Sequence, residues 1–235
     1  RHLRHNLVSD SRLDVPGDLS TNHVQTSDND GLWTAMYIAA EAYRYAVTKD
    51  PEAKKFARDS LEAMMFLETV TGIPGFPARS FAKPDEPHCQ GEWDHLTPDG
   101  QWRWKGDTSS DEIIGHYYAY SIYFDLVADE AEKEEIRAKV RRITDYIVDN
   151  DLYLLDTDGL PTTWGKWNFK GLRRFRLDRG LNSLEMLSQL KAAYHITGDQ
   201  KYQNLYLELA LKYDYARFTV RQKLTIPPEI NHSDD

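Results

Sequence analysis

Three stretches of this chain repeat one design: an apolar helix, a short turn, and a second helix with one charged face. The first is GLWTAMYIAAEAYRYAVTKDPEAKKFARDSLEAMMFLETV, where Leu32, Met36, Ala39, Ala40, Tyr43 and Val47 recur at helical spacing. Lys49-Asp50-Pro51 forms its turn, with Pro51 suited to a first helical position. The second is SSDEIIGHYYAYSIYFDLVADEAEKEEIRAKVRRITDYIVDN, with Ile113, Tyr117, Tyr120, Tyr123 and Val127 on one stripe and Ala128-Asp129-Glu130 at the turn. The third, GLNSLEMLSQLKAAYHITGDQKYQNLYLELALKYDYA, turns at Thr197-Gly198-Asp199. Setting Thr48 on Ala128 brings Tyr37 onto Tyr117, Tyr43 onto Tyr123 and Val47 onto Val127. In each unit the first helix reads as apolar all round, hence inner, and the second as amphipathic, hence outer. Repeated helical hairpins of this size predict an all-α toroid or solenoid of stacked αα units. A bundle with short loops is the simpler alternative. The expected hairpins span about 30–70, 109–150 and 180–216.

Between the hairpins lie inserts. GEWDHLTPDGQWRWK (91–105) and LYLLDTDGLPTTWGKW (152–167) have the alternation and Asp-Gly turns of β-hairpins. GIPGFPARSF (72–81) reads as a loop punctuated by glycine and proline. Residues 1–25 read as a lead-in to a helical domain over 26–235, and Asn231 onward as the polar start of a fourth inner helix.

Composition excludes several classes. No run approaches the roughly 20 apolar residues of a membrane span, so no membrane insertion is expected. The net charge of −9 argues against a nucleic-acid surface, and the one arginine cluster is Arg173, Arg174, Arg176 and Arg179. Cys89 is the single cysteine, which rules out an internal disulfide and a cysteine metal site. Asp28-Asn29-Asp30-Gly31 lacks the rest of a calcium loop, and no phosphate loop, dinucleotide fingerprint or nucleophile elbow is present. Neither metal nor cofactor is expected.

Each inner helix is preceded by a polar cluster: Thr26-Ser27-Asp28-Asn29-Asp30, then Gly106-Asp107-Thr108-Ser109-Ser110-Asp111-Glu112, then Asp178 to Ser183 with Glu185 following, and last Asn231 to Asp235. A helix start uses one such side chain as its N-cap, and an acid in the first turn suits the dipole. Ser109 or Thr108 alone would cap the second helix, which leaves more carboxylates than capping requires. Parallel inner helices would bring these acids to one mouth. Glycoside hydrolysis needs such a pair, about 5–9.5 Å apart, one protonated and one ionised. Trp93, Trp102, Trp104, Trp164 and Trp167 on the inserts would offer flat faces to sugar rings.

SDNDGLWTAMYIAAEAYRYAVT, GIPGFPARSF, WRWKGDTSSDEIIGHYYAY, RGLNSLEMLSQLKAAYHITGD and NHSDD resemble stretches of the six-hairpin (α/α) glycosidase-like superfamily, in large secreted or periplasmic proteins of carbohydrate-degrading bacteria. The resemblance implies an oligo- or polysaccharide partner, secretion or a periplasmic location, and a cleft at the inner-helix starts. Three hairpins are too few to close such a ring, so further hairpins are expected from a longer chain or a second chain. The expected activity is hydrolysis of a glycosidic bond by Asp30 and Asp111, with Glu112 as the alternative partner. A uronate lyase is the second reading, with His116 or Tyr117 as base and Arg79, Arg174 or Arg179 holding the substrate carboxylate. A non-catalytic glycan-binding or scaffold domain is the third. Each candidate also has a plain structural role: Asp30 as N-cap, His116 and Tyr117 as packed core, Asp107 as a partner for Trp104 or Arg103, and the arginines as salt-bridge donors. Asp28, Trp102, Trp104, Asp107, Trp164, Trp167, Asn182, Glu185, His232 and Asp234 complete the expected binding set.

Overall fold

The computed structural model describes residues 2–86, 94–174 and 179–220. Helix covers 58% and strand 14% of the described residues, so the fold is mainly α. The chain opens with two small antiparallel hairpins, β1 (Leu3–Arg4) with β2 (Leu7–Val8) and β3 (Asp10–Leu13) with β4 (Asn22–Gln25). Then come α1 (Asp30–Thr48) and α2 (Pro51–Thr69), and the strands β5 (Ser80–Ala82), β6 (Asp94–Leu96) and β7 (Arg103–Lys105). Next are α3 (Ser110–Leu126), α4 (Glu130–Asp149), and a hairpin of β8 (Tyr153–Leu155) and β9 (Pro161–Lys166). The last helices are α5 (Phe169–Arg174), α6 (Arg179–Thr197), α7 (Gln200–Lys212) and α8 (Tyr215–Thr219).

Local chemistry sets the hairpin turns. Lys49 adopts a left-handed conformation after α1, and Asp50 caps α2 through the Glu52 amide at 2.9 Å with Pro51 at the first position. Asp129 and Glu132 form a reciprocal capping box at α4. Gly198, with φ +74°, lets the chain reverse into α7.

The helices form two layers. α1 packs on α3 and α3 on α6, while α2 packs on α1, α7 on α6, and α4 on both α6 and α3. Ile38, Leu61, Met64, Ile113, Tyr120, Val140, Ile143, Met186 and Leu190 fill the space between the layers. A buried ion cluster ties α2 to α4: Glu68 takes Arg142 Nε at 2.9 Å, the Gly75 amide at 2.8 Å and the Lys139 ammonium. These donors outweigh burial and hold the Glu68 carboxyl at about 2.

Three features differ from the sequence reading. The first 25 residues are more than a lead-in, because Leu7 and Arg4 are buried and the Val8 amide donates to Thr34 Oγ1 at 2.8 Å. The glycine–proline loop contributes β5, which joins β7 and β6 in a three-stranded sheet of order β5-β7-β6. The apolar stripe expected to bury α1 is largely exposed, with Met36 at 48%, Tyr43 at 53% and Val47 at 84%, whereas Val127 is 8% exposed. Of that stripe only Leu32 and Ala39 are buried, and they share the buried face of α1 with Ala35, Ile38 and Ala42, small residues among them admitting α2 and α3 closely.

Candidate functional site

The starts of α1 and α3 lie side by side, and glycine makes this approach feasible. A Cβ on Gly31 would sit 1.7 Å from Glu112 Oε1, and one on Gly115 would sit 2.9 Å from the Leu32 Cα. Asn29, the N-cap of α1, makes no side-chain capping bond. Glu112 caps α1 from the neighbouring helix instead, with its Oε2 accepting the Leu32 amide at 3.0 Å. Ser109 caps α3 through the Glu112 amide at 3.4 Å and donates to Asn29 Oδ1 at 3.3 Å.

Two of the expected acids are interior. Asp30 is fully buried and accepts from the Ser27 amide at 3.0 Å, Ser27 Oγ at 2.7 Å, Arg4 Nη2 at 3.0 Å and the Ser80 hydroxyl. Burial still wins over these donors and raises its carboxyl above the usual range. Glu112 is also fully buried and is pushed well above 4.5, first by desolvation and then by the Asp111 and Asp30 charges. Its free oxygen, Oε1, lies 3.8 Å from His116 Nε2, and both atoms lack a hydrogen-bond partner among the described residues. His116 shares Nδ1 with the Tyr120 hydroxyl at 3.1 Å, and burial drives its imidazole down to about 3. Tyr117 is enclosed and bonded to Thr144 Oγ1 at 2.7 Å.

The acids beside them are less buried. Asp111 is partly buried, makes no side-chain hydrogen bond among the described residues and stands next to Glu112 in the first turn of α3. Asp28 is 59% exposed, with Arg79 Nη1 at 3.5 Å and the Lys105 ammonium in contact. The Arg79 charge also reaches Glu112, so these groups share one locality.

The third cluster is joined to the second through the β8–β9 hairpin. Asp107, at φ +49°, accepts the Thr163 amide at 2.6 Å, and its own amide donates to Asp156 at 2.5 Å. It therefore tethers this hairpin and partners neither Trp104 nor Arg103. Asn182 donates to the Lys166 carbonyl at 3.1 Å, and Glu185 accepts Trp167 Nε1 at 2.8 Å. Arg179 lies over the Phe218 ring, 4.5 Å from its centroid.

The tryptophans divide. Trp167 and Trp104 are buried, the latter stacked on His95 at 4.3 Å, so their faces are occupied by protein. Trp102 is half-buried among His5, Phe66 and Phe81, with Lys83 over its ring at 3.5 Å. Trp164 is 53% exposed. Trp33, at 41%, is exposed one turn into α1 and was absent from the sequence-based set. Arg4, Ser80 and Lys105 were missed too. Lys105 had a signal, since alternation in β7 turns Trp104 inward and Lys105 outward. His232, Asp234, Trp93, Cys89 and the Arg174 side chain lie outside the described residues.

Among the described residues no group of His, Cys, Asp and Glu is arranged to hold a metal ion, and no helix is long and apolar enough to cross a membrane. No protein-family model, curated protein or solved structure matches the chain.

Proposed function

We propose that this chain is carbohydrate-active, forms part of an (α/α) toroid of helical hairpins, and hydrolyses a glycosidic bond in an oligo- or polysaccharide. The carrying observation is a pair of adjacent carboxyls in unlike surroundings. Glu112 is enclosed and favoured in its acid form, while Asp111 beside it is only partly buried. Carboxyls driven apart in this way suit acid and base roles in glycoside cleavage. Asp111 is the group that meets substrate. Glu112 is the proton donor, and Gly31 and Leu32 cover it, so the start of α1 has to draw back for it to reach a glycosidic oxygen. Asp30, held by Arg4, Ser27 and Ser80, is a positioning residue that fixes that start. Trp33 and Trp164 supply exposed aromatic faces for sugar rings. Secretion or a periplasmic location belongs to the same proposal.

The test is turnover on a polysaccharide panel with circular dichroism as the fold control. Asp111→Asn and Glu112→Gln are each expected to lose activity by about a hundredfold or more. Loss with Asp111→Asn alone would make Glu112 a positioning residue. Full activity in both variants sinks the assignment, and product absorbance near 235 nm would mark a lyase instead.

A further inference from the structure

Arg79 and Lys105 are neighbours across a strand pairing, with the Arg79 amide donating to the Lys105 carbonyl at 2.9 Å. Nearby cations are committed to buried or half-buried acids: Arg4 to Asp30 at 3.0 Å and Arg103 to Asp94 at 2.6 Å. Among the described residues neither Arg79 nor Lys105 forms an ion pair with a buried acid. Both converge on Asp28, the most exposed member of the group. The exposures run opposite to an ordinary surface ion pair. The side chains of Arg79 and Lys105 are 10% and 20% exposed, and that of Asp28 is 59% exposed. The cations are thus built into the sheet, and the anion sits on the loop before α1. Arg79 also keeps a buried Nε with no hydrogen-bond partner within the described residues. A buried guanidinium N–H left unpaired is costly, and a second carboxylate oxygen would satisfy it.

We propose that Arg79 and Lys105 form the seat for a ligand carboxylate, that of a uronic acid residue in the saccharide, and that Asp28 occupies this seat in the free protein. The saccharide part rests on the reading above, whereas the carboxylate seat stands on the two cations alone. A ligand carboxylate would displace Asp28 by exchanging one exposed, weakly held ion pair for another that also reaches Arg79 Nε. Trp33, on the first turns of the helix that follows Asp28, and the partly buried Asp111 fall within the same region of the helix starts. A uronate seated there would lie near the group assigned to catalysis.

The experiment is calorimetric titration of the full chain with short oligogalacturonate and oligoglucuronate, with the same oligosaccharides reduced to neutral alcohols, and with acetate. At least one uronate series should bind about tenfold or more tightly than its reduced form, and added salt should weaken that binding. Lys105→Met should lose about tenfold in affinity, and Arg79→Lys, which keeps the charge but removes the fork, should lose a similar factor. Asp28→Asn should bind the uronate severalfold more tightly, because the internal competitor is gone. Equal affinity for charged and reduced sugars, or no binding of either uronate, overturns the proposal. So does weaker binding by Asp28→Asn. Acetate binding that competes with no sugar would keep the seat and remove the uronate. Tight uronate binding without cleavage would leave the seat standing and defeat the hydrolase, and cleavage of neutral glycans alone would do the reverse.

Discussion

The junction of α1 with α3 and the junction of α3 with α6 solve one problem in opposite ways. Both bring helix starts rich in polar side chains together. At the first, backbones meet directly because Gly31 and Gly115 carry no Cβ, and the Glu112 carboxyl crosses to cap α1. At the second, the β8–β9 hairpin stands between the starts and joins them through Asp107 to Thr163, Lys166 to Asn182, and Trp167 to Glu185. Direct contact buries ionisable groups without enough partners. Bridging gives Asp107, Asn182 and Glu185 each a partner and leaves little of their chemistry free. The candidate site therefore belongs to the first junction, although the clusters look alike in sequence.

The largest expected effect is Gly31→Ala. Its Cβ would clash with Glu112 Oε1 and approach Leu67 Cδ1 at 2.9 Å, so the enclosed Glu112 side chain must leave its place on the Leu32 amide. A loss of about 3 kcal/mol in urea denaturation is expected. Near-neutral behaviour would show that the first junction is slack and remove the contrast.

Glu185→Ala tests the second junction. It strips the Trp167 N–H of its acceptor in a fully buried setting and should cost about 2 kcal/mol. A cost equal to that of Gly31→Ala would mean that both junctions are equally tight.

The smallest effect is electrostatic. Glu112 has a raised carboxyl in the folded state, so its stabilising share is complete below 4.5 and drains away as pH rises. His116 runs the other way: its value falls from 6.5 to about 3 on folding, and stability is lost as pH drops from 6.5 toward that value. Glu112→Gln removes the first slope and leaves the second. Relative to the parent, the variant should gain about 1 kcal/mol over the first pH unit above the ordinary glutamate value. Parallel stability curves for the two proteins would show that burial does not raise Glu112.

The hairpins and their turns were legible because they rest on local chemistry: the period of α3, Pro51 after Asp50, the Asp129–Glu132 box, and Gly198. Both β-hairpin inserts were readable from their Asp-Gly turns and alternation. The burial of α1 was not, since Met36, Tyr43 and Val47 have helical spacing whichever face the neighbours choose. Nor was the fate of each acid. Asp28 and Asp30 are two residues apart and Asp111 and Glu112 are adjacent, yet one of each pair is enclosed and the other is not.

The sequence by itself determined the mainly helical class, the three hairpins, the caps, and the gathering of polar residues at helix starts, because those follow from periodicity and short-range hydrogen bonding. The tertiary structure decided which carboxyl is exposed and which is sealed, that Arg4 from the opening hairpin covers Asp30, and that Arg79 and Lys105 face an exposed Asp28. Burial and charge pairing are set by groups distant in the chain, and a string of residues carries no record of that distance until the helices pack.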